Sequence, residues 1–214
     1  DNEIRIWNRQ DDSTLTSIQL NKDSALTAVF SPNNKLLAVG LDVPIKFDKD
    51  GNIEDSSWLA VRIYDVQTGK LLAVERSYGG RNYRLFFSAD GRLLVTDGGI
   101  WNINEWLSSG MVDQENWPDW LIGSPMALSS DGRLLATAWY ADNNLGGRHI
   151  IHVFELQSHK ELFTFDAHHG DVNGLAFNPS GTLLVSATGD GDANVRDNSV
   201  RLWNMKSGKE LLTL

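Results

Sequence analysis

The residues with the plainest capacity for chemistry in this sequence are acidic. Asp48-Lys-Asp-Gly-Asn-Ile-Glu54 sets carboxylates at alternating positions around a glycine, and such a turn can surround a hard cation with oxygen. The glycine stands one place too early for a helix-loop-helix calcium site, however, and the flanking Ile45-Lys-Phe and Asn-Ile-Glu read as the two sides of an ordinary hairpin. Asp190, Asp192 and Asp197 form a second acidic stretch, which reads as a solvated turn. His149 and His152 are three apart in a strand-like segment, so they point to opposite faces and cannot clamp one ion. Glycine-rich phosphate loops, a Gly-x-Ser-x-Gly elbow and paired helical carboxylates are all missing from the sequence. With no cysteine, thiolate metal sites, disulfides and thiol nucleophiles are excluded. The sequence therefore nominates no catalytic residue, no metal and no cofactor.

Composition narrows the partners. Lys and Arg number 19 against 28 Asp and Glu, a net charge of -9 over 214 residues. Nucleic acids and anionic membranes are held through a basic surface that releases counterions, and this chain lacks the charge for one. At 41% hydrophobic residues it can fill a core. No run of 18 apolar residues occurs, and Asp1-Asn-Glu3 lacks the basic and apolar regions of a signal peptide. These features predict a soluble, cytoplasmic protein. Because it opens on Asp1 rather than Met, the chain reads as an excerpt of a longer polypeptide.

The elements that would carry any site come from an internal repeat. Ala28-Val-Phe-Ser-Pro-Asn-Asn-Lys-Leu-Leu-Ala-Val39, Leu85-Phe-Phe-Ser-Ala-Asp-Gly-Arg-Leu-Leu-Val95, Met126-Ala-Leu-Ser-Ser-Asp-Gly-Arg-Leu-Leu-Ala136 and Leu175-Ala-Phe-Asn-Pro-Ser-Gly-Thr-Leu-Leu-Val185 share one pattern. Each is an apolar strand, a turn tolerant of positive φ and a second apolar strand. Third strands follow at Val61-Arg-Ile-Tyr64, Ile151-His-Val-Phe154 and Val200-Arg-Leu-Trp203, with a copy at Ile4-Arg-Ile-Trp7; fourth strands end the units. In that first copy, Ile4 and Ile6 share one face and Arg5 and Trp7 the other, and both faces are expected to be covered. One unit is a four-stranded antiparallel meander of about 40 residues, too small to bury both its faces alone. Stacking copies around an axis solves this.

The predicted fold class is all-β, a β-propeller of four-stranded antiparallel blades. About four and a half blades are expected: a partial one at 1–20, then 24–76, 82–123, 124–165 and 170–214. Asp197-Asn-Ser-Val-Arg-Leu-Trp-Asn204, with Gly181-Thr-Leu-Leu-Val-Ser-Ala-Thr188 and Ala167-His-His-Gly-Asp-Val172 before it, resembles a unit of the tryptophan–aspartate (WD40) repeat family. The match weakens between 97 and 123. The Asp-Gly-Arg-Leu-Leu turns are similar to those of bacterial WD arrays, which that family attaches to kinase, protease-like or nucleotide-binding domains. The resemblance implies a partial propeller, part of a seven-bladed ring whose remaining roughly 85 residues lie elsewhere, at about 43 residues per blade; the alternatives are a five-bladed ring with one incomplete blade and an open array completed by a second chain. Unclosed blades would expose edges and promote self-association.

The resemblance also implies a structural tetrad in the last unit: His168, Ser186, Asp197 and Trp203, a buried network that confers rigidity. The other complete units are expected to have lost it, with Tyr64 and Phe154 in place of the tryptophan. In a meander the two–three and four–one connections lie at one end, and the long insertions, Leu41 to Trp58, Tyr140 to His149 and Gly189 to Asp197, all join strands two and three. That end is the expected binding face. The candidate partner-binding residues are Trp117, Trp120, Lys46, Asp48, Tyr140, Arg148 and Arg196. Trp101, Trp106, Trp117 and Trp120 either form an exposed hot spot or fill a degenerate blade. The expected function is a non-catalytic protein-interaction scaffold or sensor module that meets a protein partner or another domain of its own polypeptide. The rival is a propeller hydrolase or lyase with a central-channel site. Charged residues at the starts of the first strands would favour the rival, and Arg84 alone is charged there.

Overall fold

The computed structural model describes residues 2–43, 46–47, 49–50, 53–55, 59–77, 84–96, 99–109, 125–140, 149–189 and 197–214. They fall into two compact units, Asp1–Asn116 and Trp117–Leu214.

In the first unit, β1 (Glu3–Trp7) and β2 (Thr14–Gln19) form a two-stranded ladder. A four-stranded sheet follows, built from β3 (Ser24–Phe30), β4 (Leu36–Asp42), β7 (Leu59–Asp65) and β8 (Leu71–Ser77) in that spatial order. The connection from β4 to β7 carries a separate hairpin of β5 (Lys46–Phe47) and β6 (Ile53–Asp55). The next sheet has three strands, β9 (Leu85–Phe87), β10 (Leu93–Thr96) and β11 (Gly99–Asn102). A short helix, α1 (Ile103–Ser109), comes next where the other sheets have a fourth strand. Asn102 caps it, its Oδ1 accepting from the amides of Asn104 and Glu105 at 3.1 and 3.4 Å.

The second unit holds two complete meanders. One is β12 (Met126–Leu128), β13 (Leu134–Tyr140), β14 (His149–Glu155) and β15 (Lys160–His168). The other is β16 (Val172–Phe177), β17 (Leu183–Thr188), β18 (Val200–Asn204) and β19 (Lys209–Thr213). All neighbouring strands are antiparallel.

One turn closes the first hairpin of each sheet of three or four strands, and its chemistry explains the shared sequence. Ser88 Oγ donates to Asp90 Oδ1 at 2.6 Å and accepts from the Leu93 amide at 2.9 Å, while Asp90 Oδ1 accepts from the Arg92 amide at 3.0 Å. Ser129 and Asp131 repeat this at 2.6, 2.9 and 3.1 Å, and Ser31 with Asn33 at 2.8, 3.0 and 3.0 Å. In the last sheet Asn178 replaces the serine and accepts from the Leu183 amide at 2.9 Å. The third residue after that serine or asparagine must take a left-handed backbone, which Gly91, Gly132 and Gly181 do at φ 71°, 67° and 66° and Asn34 does at 55°.

Register fixes which faces pack. Leu184 pairs with Trp203, Leu37 with Tyr64, Leu94 with Trp101 and Leu135 with Phe154, so each third-strand aromatic stands opposite an equivalent leucine. Three apolar clusters lie between successive sheets. Ile6 and Ile18 meet Leu37, Val39 and Tyr64; Ala38, Ile63 and Ala73 meet Leu94 and Trp101; Ala136, Val153 and Phe165 meet Leu184 and Trp203. In every case the aromatic-bearing face of one sheet covers the opposite face of the sheet before it.

One expectation needs correction, and one open alternative is decided. The Arg5 and Trp7 face of β1 is not covered among the described residues, since Trp7 is 56% exposed. Trp101 and Trp106 are no surface patch. Both are buried, with ring centroids 6.1 Å apart, in the cluster that joins this sheet to its predecessor.

Candidate functional site: a buried network at the base of an inserted loop

β15, β17 and β18 bring His168, Ser186, Asp197 and Trp203 together. Asp197 lies in the connection that returns from the β17–β18 insertion, and the other three project from strands in the final sheet or the strand preceding it. Trp203 Nε1 donates to Ser186 Oγ at 2.9 Å, and the same hydroxyl meets His168 Nε2 at 2.7 Å. On the other side of the ring, Nδ1 lies 3.4 Å from an Asp197 carboxylate oxygen and 3.3 Å from Ser199 Oγ. The carboxylate places the ring proton on Nδ1, which leaves Nε2 to accept from the Ser186 hydroxyl. The result is a directed chain from indole to hydroxyl to imidazole to carboxylate. His168 is 1% and Ser186 0% exposed, so these groups can satisfy one another but not exchange with water.

Asp197 does more than orient the ring. It accepts from the His169 amide at 2.7 Å and from the Ser199 hydroxyl, and Arg201 stands 3.8 Å away. Burial would raise its pKa, but these hydrogen bonds and the neighbouring His168 and Arg201 hold the carboxyl below its usual range. Burial pushes the pKa of His168 down, opposed by the charge of Asp197 and aided by that of Arg201. At neutral pH the pair is a neutral imidazole beside a carboxylate. Thr188 completes the loop's stem: its hydroxyl donates to the Asp197 carbonyl and accepts from the Ser199 amide at 3.2 Å. Asn173 Nδ2 reaches the Gly189 carbonyl at 2.5 Å from the neighbouring strand.

Relics of the network persist elsewhere, which sequence reading missed. In the three-stranded sheet, Trp101 Nε1 donates to Thr96 Oγ1 at 3.0 Å. Register places these residues where Trp203 and Ser186 stand. The expectation that other units have lost the constellation is corrected here: this one keeps the indole–hydroxyl half. The signal that could have found it is the pair Leu94 and Thr96, spaced like Leu184 and Ser186. In the β12–β15 sheet, Thr137 holds the hydroxyl position, but the aromatic position is Phe154, which has no donor, and the Thr137 Oγ1 has no partner among the described residues. In the β3–β8 sheet the hydroxyl position is Val39, and Arg62 forms an ion pair with Asp23.

Of the candidate partner-binding residues, Trp117, Trp120, Asp48, Arg148 and Arg196 lie outside the described residues, as do Asp190 and Asp192. Lys46 opens β5 and Tyr140 closes β13, with their side chains outside the description. His149 and His152 engage separate carboxylates, His149 Nε2 lying 3.6 Å from Asp171 and His152 pairing with Glu161. Among the described residues no three metal-ligating side chains converge, and no helix is long and apolar enough to cross a membrane.

Comparison with known proteins adds the decisive observation. The family model for the WD domain, G-beta repeat, matches residues 159–204, the stretch that contains all four members of the network. Residues 159–204 thus match one WD repeat, and the chain is similar to WD-repeat proteins. A WD repeat-containing protein of Synechocystis is 34% identical over 89 residues, 42% of this chain and 22% of that protein. Topless-related protein 2 of Arabidopsis thaliana is 38% identical over 86 residues, 36% of this chain and 7% of that protein. Human WD repeat-containing protein 36 is 27% identical over 105 residues, 47% and 11% respectively. The chain thus spans under a quarter of each of these relatives. A chain in the crystal structure of a mitotic checkpoint complex superposes over the whole of it at TM-score 0.57 and 18% identity, with 58% of that chain covered. That likeness concerns the fold, which is a partial β-propeller.

Proposed function

We propose that the chain is a non-catalytic interaction scaffold, the propeller portion of a larger protein, which presents the strand two–three insertions to a protein partner or to another domain of its own polypeptide. One observation carries this reading. The insertions leave β4, β13 and β17 at the same point of the repeat, and in the last sheet the stem is clasped by Thr188, Asp197 and Ser199. Loops held on a rigid stem lose little entropy on binding. The relatives bear the names of WD-repeat and Topless-related proteins, which supports an interaction role. The net charge of -9 disfavours nucleic acid and anionic membranes as partners, and the lack of cysteine suits a reducing, cytoplasmic setting and a signalling assembly. We further assign the chain to a ring of about seven blades, the number that the resemblance to WD-repeat proteins implies.

The binding residues on this reading are Trp117, Trp120, Lys46, Asp48, Tyr140, Arg148 and Arg196, and His168, Ser186, Asp197 and Trp203 act as the rigid support. The test is capture from the native host with the full-length protein, comparing wild type with Trp117→Ala/Trp120→Ala and with Arg148→Ala/Arg196→Ala. Loss of one partner with an unchanged far-ultraviolet spectrum supports the scaffold. Turnover in a hydrolase or lyase panel that disappears with a single loop carboxylate would move the protein to the enzyme class.

A further inference from the structure

We propose that the register breaks of this chain are edge guards, each of which keeps an outermost strand from adding a strand of a second copy. Where they fall carries the argument. Among the described residues the inner pairs β4–β7, β13–β14 and β17–β18 run without a break. Every break lies on a pair that includes an edge strand. In the four-stranded sheets the extra residue always belongs to the edge strand and not to its inner neighbour. On the fourth strands the break recurs at one step of the repeat, opposite Ile6 and Trp7, Ile63 and Tyr64, Val153 and Phe154, and Leu202 and Trp203, and it leaves Leu15, Leu72, Leu162 and Leu211 outside the ladder.

Strand length separates the broken edges from the unbroken ones. The fourth strands β2, β8, β15 and β19 have 6, 7, 9 and 5 residues, and all are broken. β15, the longest, is broken twice, at Leu162 and at Ala167. Of the first strands, β3 with 7 residues and β16 with 6 are broken at Leu26 and Asn173, whereas β9 and β12 are unbroken and stop after 3. β11, 4 residues long, is unbroken and leads straight into α1. A short edge offers few free N–H and C=O groups to template a partner strand, while a long one is a hazard, so the breaks stand where a guard is needed. The extra residue bends the strand and steepens its twist, which takes those groups out of the straight row that a second strand would follow.

The experiment removes one guard from the full-length protein. Deleting Leu72 leaves Ile63 opposite Ala73 and Tyr64 opposite Leu71, now in an unbroken ladder. In sedimentation at micromolar concentration the deletion is expected at least to double the average mass of the wild-type species, and the β8 amides should exchange more slowly. Leu72→Ala keeps the extra residue and should sediment as wild type. Leu71→Lys in the deletion background should restore the wild-type mass, since a lysine on an edge opposes a second strand. Deleting Leu211 repeats the comparison on β19. Wild-type mass in both deletions overturns the proposal. So does Leu72→Ala associating as strongly as the deletion, which would make the side chain and not the break the guard, or association that survives Leu71→Lys. Loss of the native far-ultraviolet spectrum in both deletions overturns it as well, because the extra residues would then be holding the sheets together.

Discussion

Trp101 donates its indole N–H to the Thr96 hydroxyl across 3.0 Å, the pairing that Trp203 and Ser186 make in the last sheet. Thr96 donates onward to the Gly99 carbonyl at 3.3 Å. The half-network shows which part of the constellation packing demands: a buried indole N–H must find an acceptor, and a strand-two hydroxyl is the nearest available.

Thr96→Val should therefore cost about 1–3 kcal/mol, the penalty for stranding one buried donor. Trp101→Phe/Thr96→Val together should lose less than the sum of the two single changes, since neither hydrogen-bonding group then remains. Urea unfolding of the four proteins measures the coupling, and strict additivity would show that the bond contributes nothing.

Ser186 and Thr137 share a register position but should respond in opposite directions. Ser186→Ala strands both the Trp203 donor and His168 Nε2, at about 1–3 kcal/mol for each group. Thr137→Val removes a buried hydroxyl with no described partner and adds a methyl of similar size, so stability should stay level or rise by up to about 1 kcal/mol. Thermal melts decide it, with about 2–4 °C expected per kcal/mol in a chain of this length.

Acid should loosen the second unit before the carboxylates titrate. Burial holds His168 and His149 below their ordinary value of 6.5 in the fold, with Asp197 and Asp171 opposing. The unfolded chain then binds more protons below that value. The stability these histidines contribute is complete above pH 6.5 and falls as pH drops toward their folded values. Asp197 adds a second loss at lower pH, as it falls below 3.8 through the depressed folded value. Urea midpoints measured from pH 8 to pH 5 should decline, and His149→Gln should flatten the decline. An unchanged slope in that variant would remove His149 from the account.

The third–fourth turns discriminate between glycine and other residues. Gly208 has φ 66°, and a Cβ there would stand 2.7 Å from Phe163 Cδ1 in the neighbouring sheet. Gly208→Ala combines backbone strain with a clash and should cost at least about 1–2 kcal/mol. His159, at φ 56° in the matching turn, already bears the strain. His159→Gly should be neutral or stabilising by up to about 1 kcal/mol, a contrast that paired melting curves would expose.

The amino-acid sequence by itself determined the repeated meander, the turns and the position of the insertions, and its resemblance to a WD unit pointed to the members of the last network. Each of these is local: period-two alternation, a left-handed turn residue and fixed spacing before Trp203 need no knowledge of neighbours. It left Trp101 and Trp106 ambiguous between surface and core, and hid the partnership of Trp101 with Thr96. Those outcomes depend on strand register and on which sheet lies opposite, and the helix α1 breaks the repeat where they occur. Only the tertiary structure decided that Trp203 is buried while Trp7, in the same motif, is half-exposed. The difference is the sheet stacked against each indole, and stacking is a long-range property that no local pattern encodes.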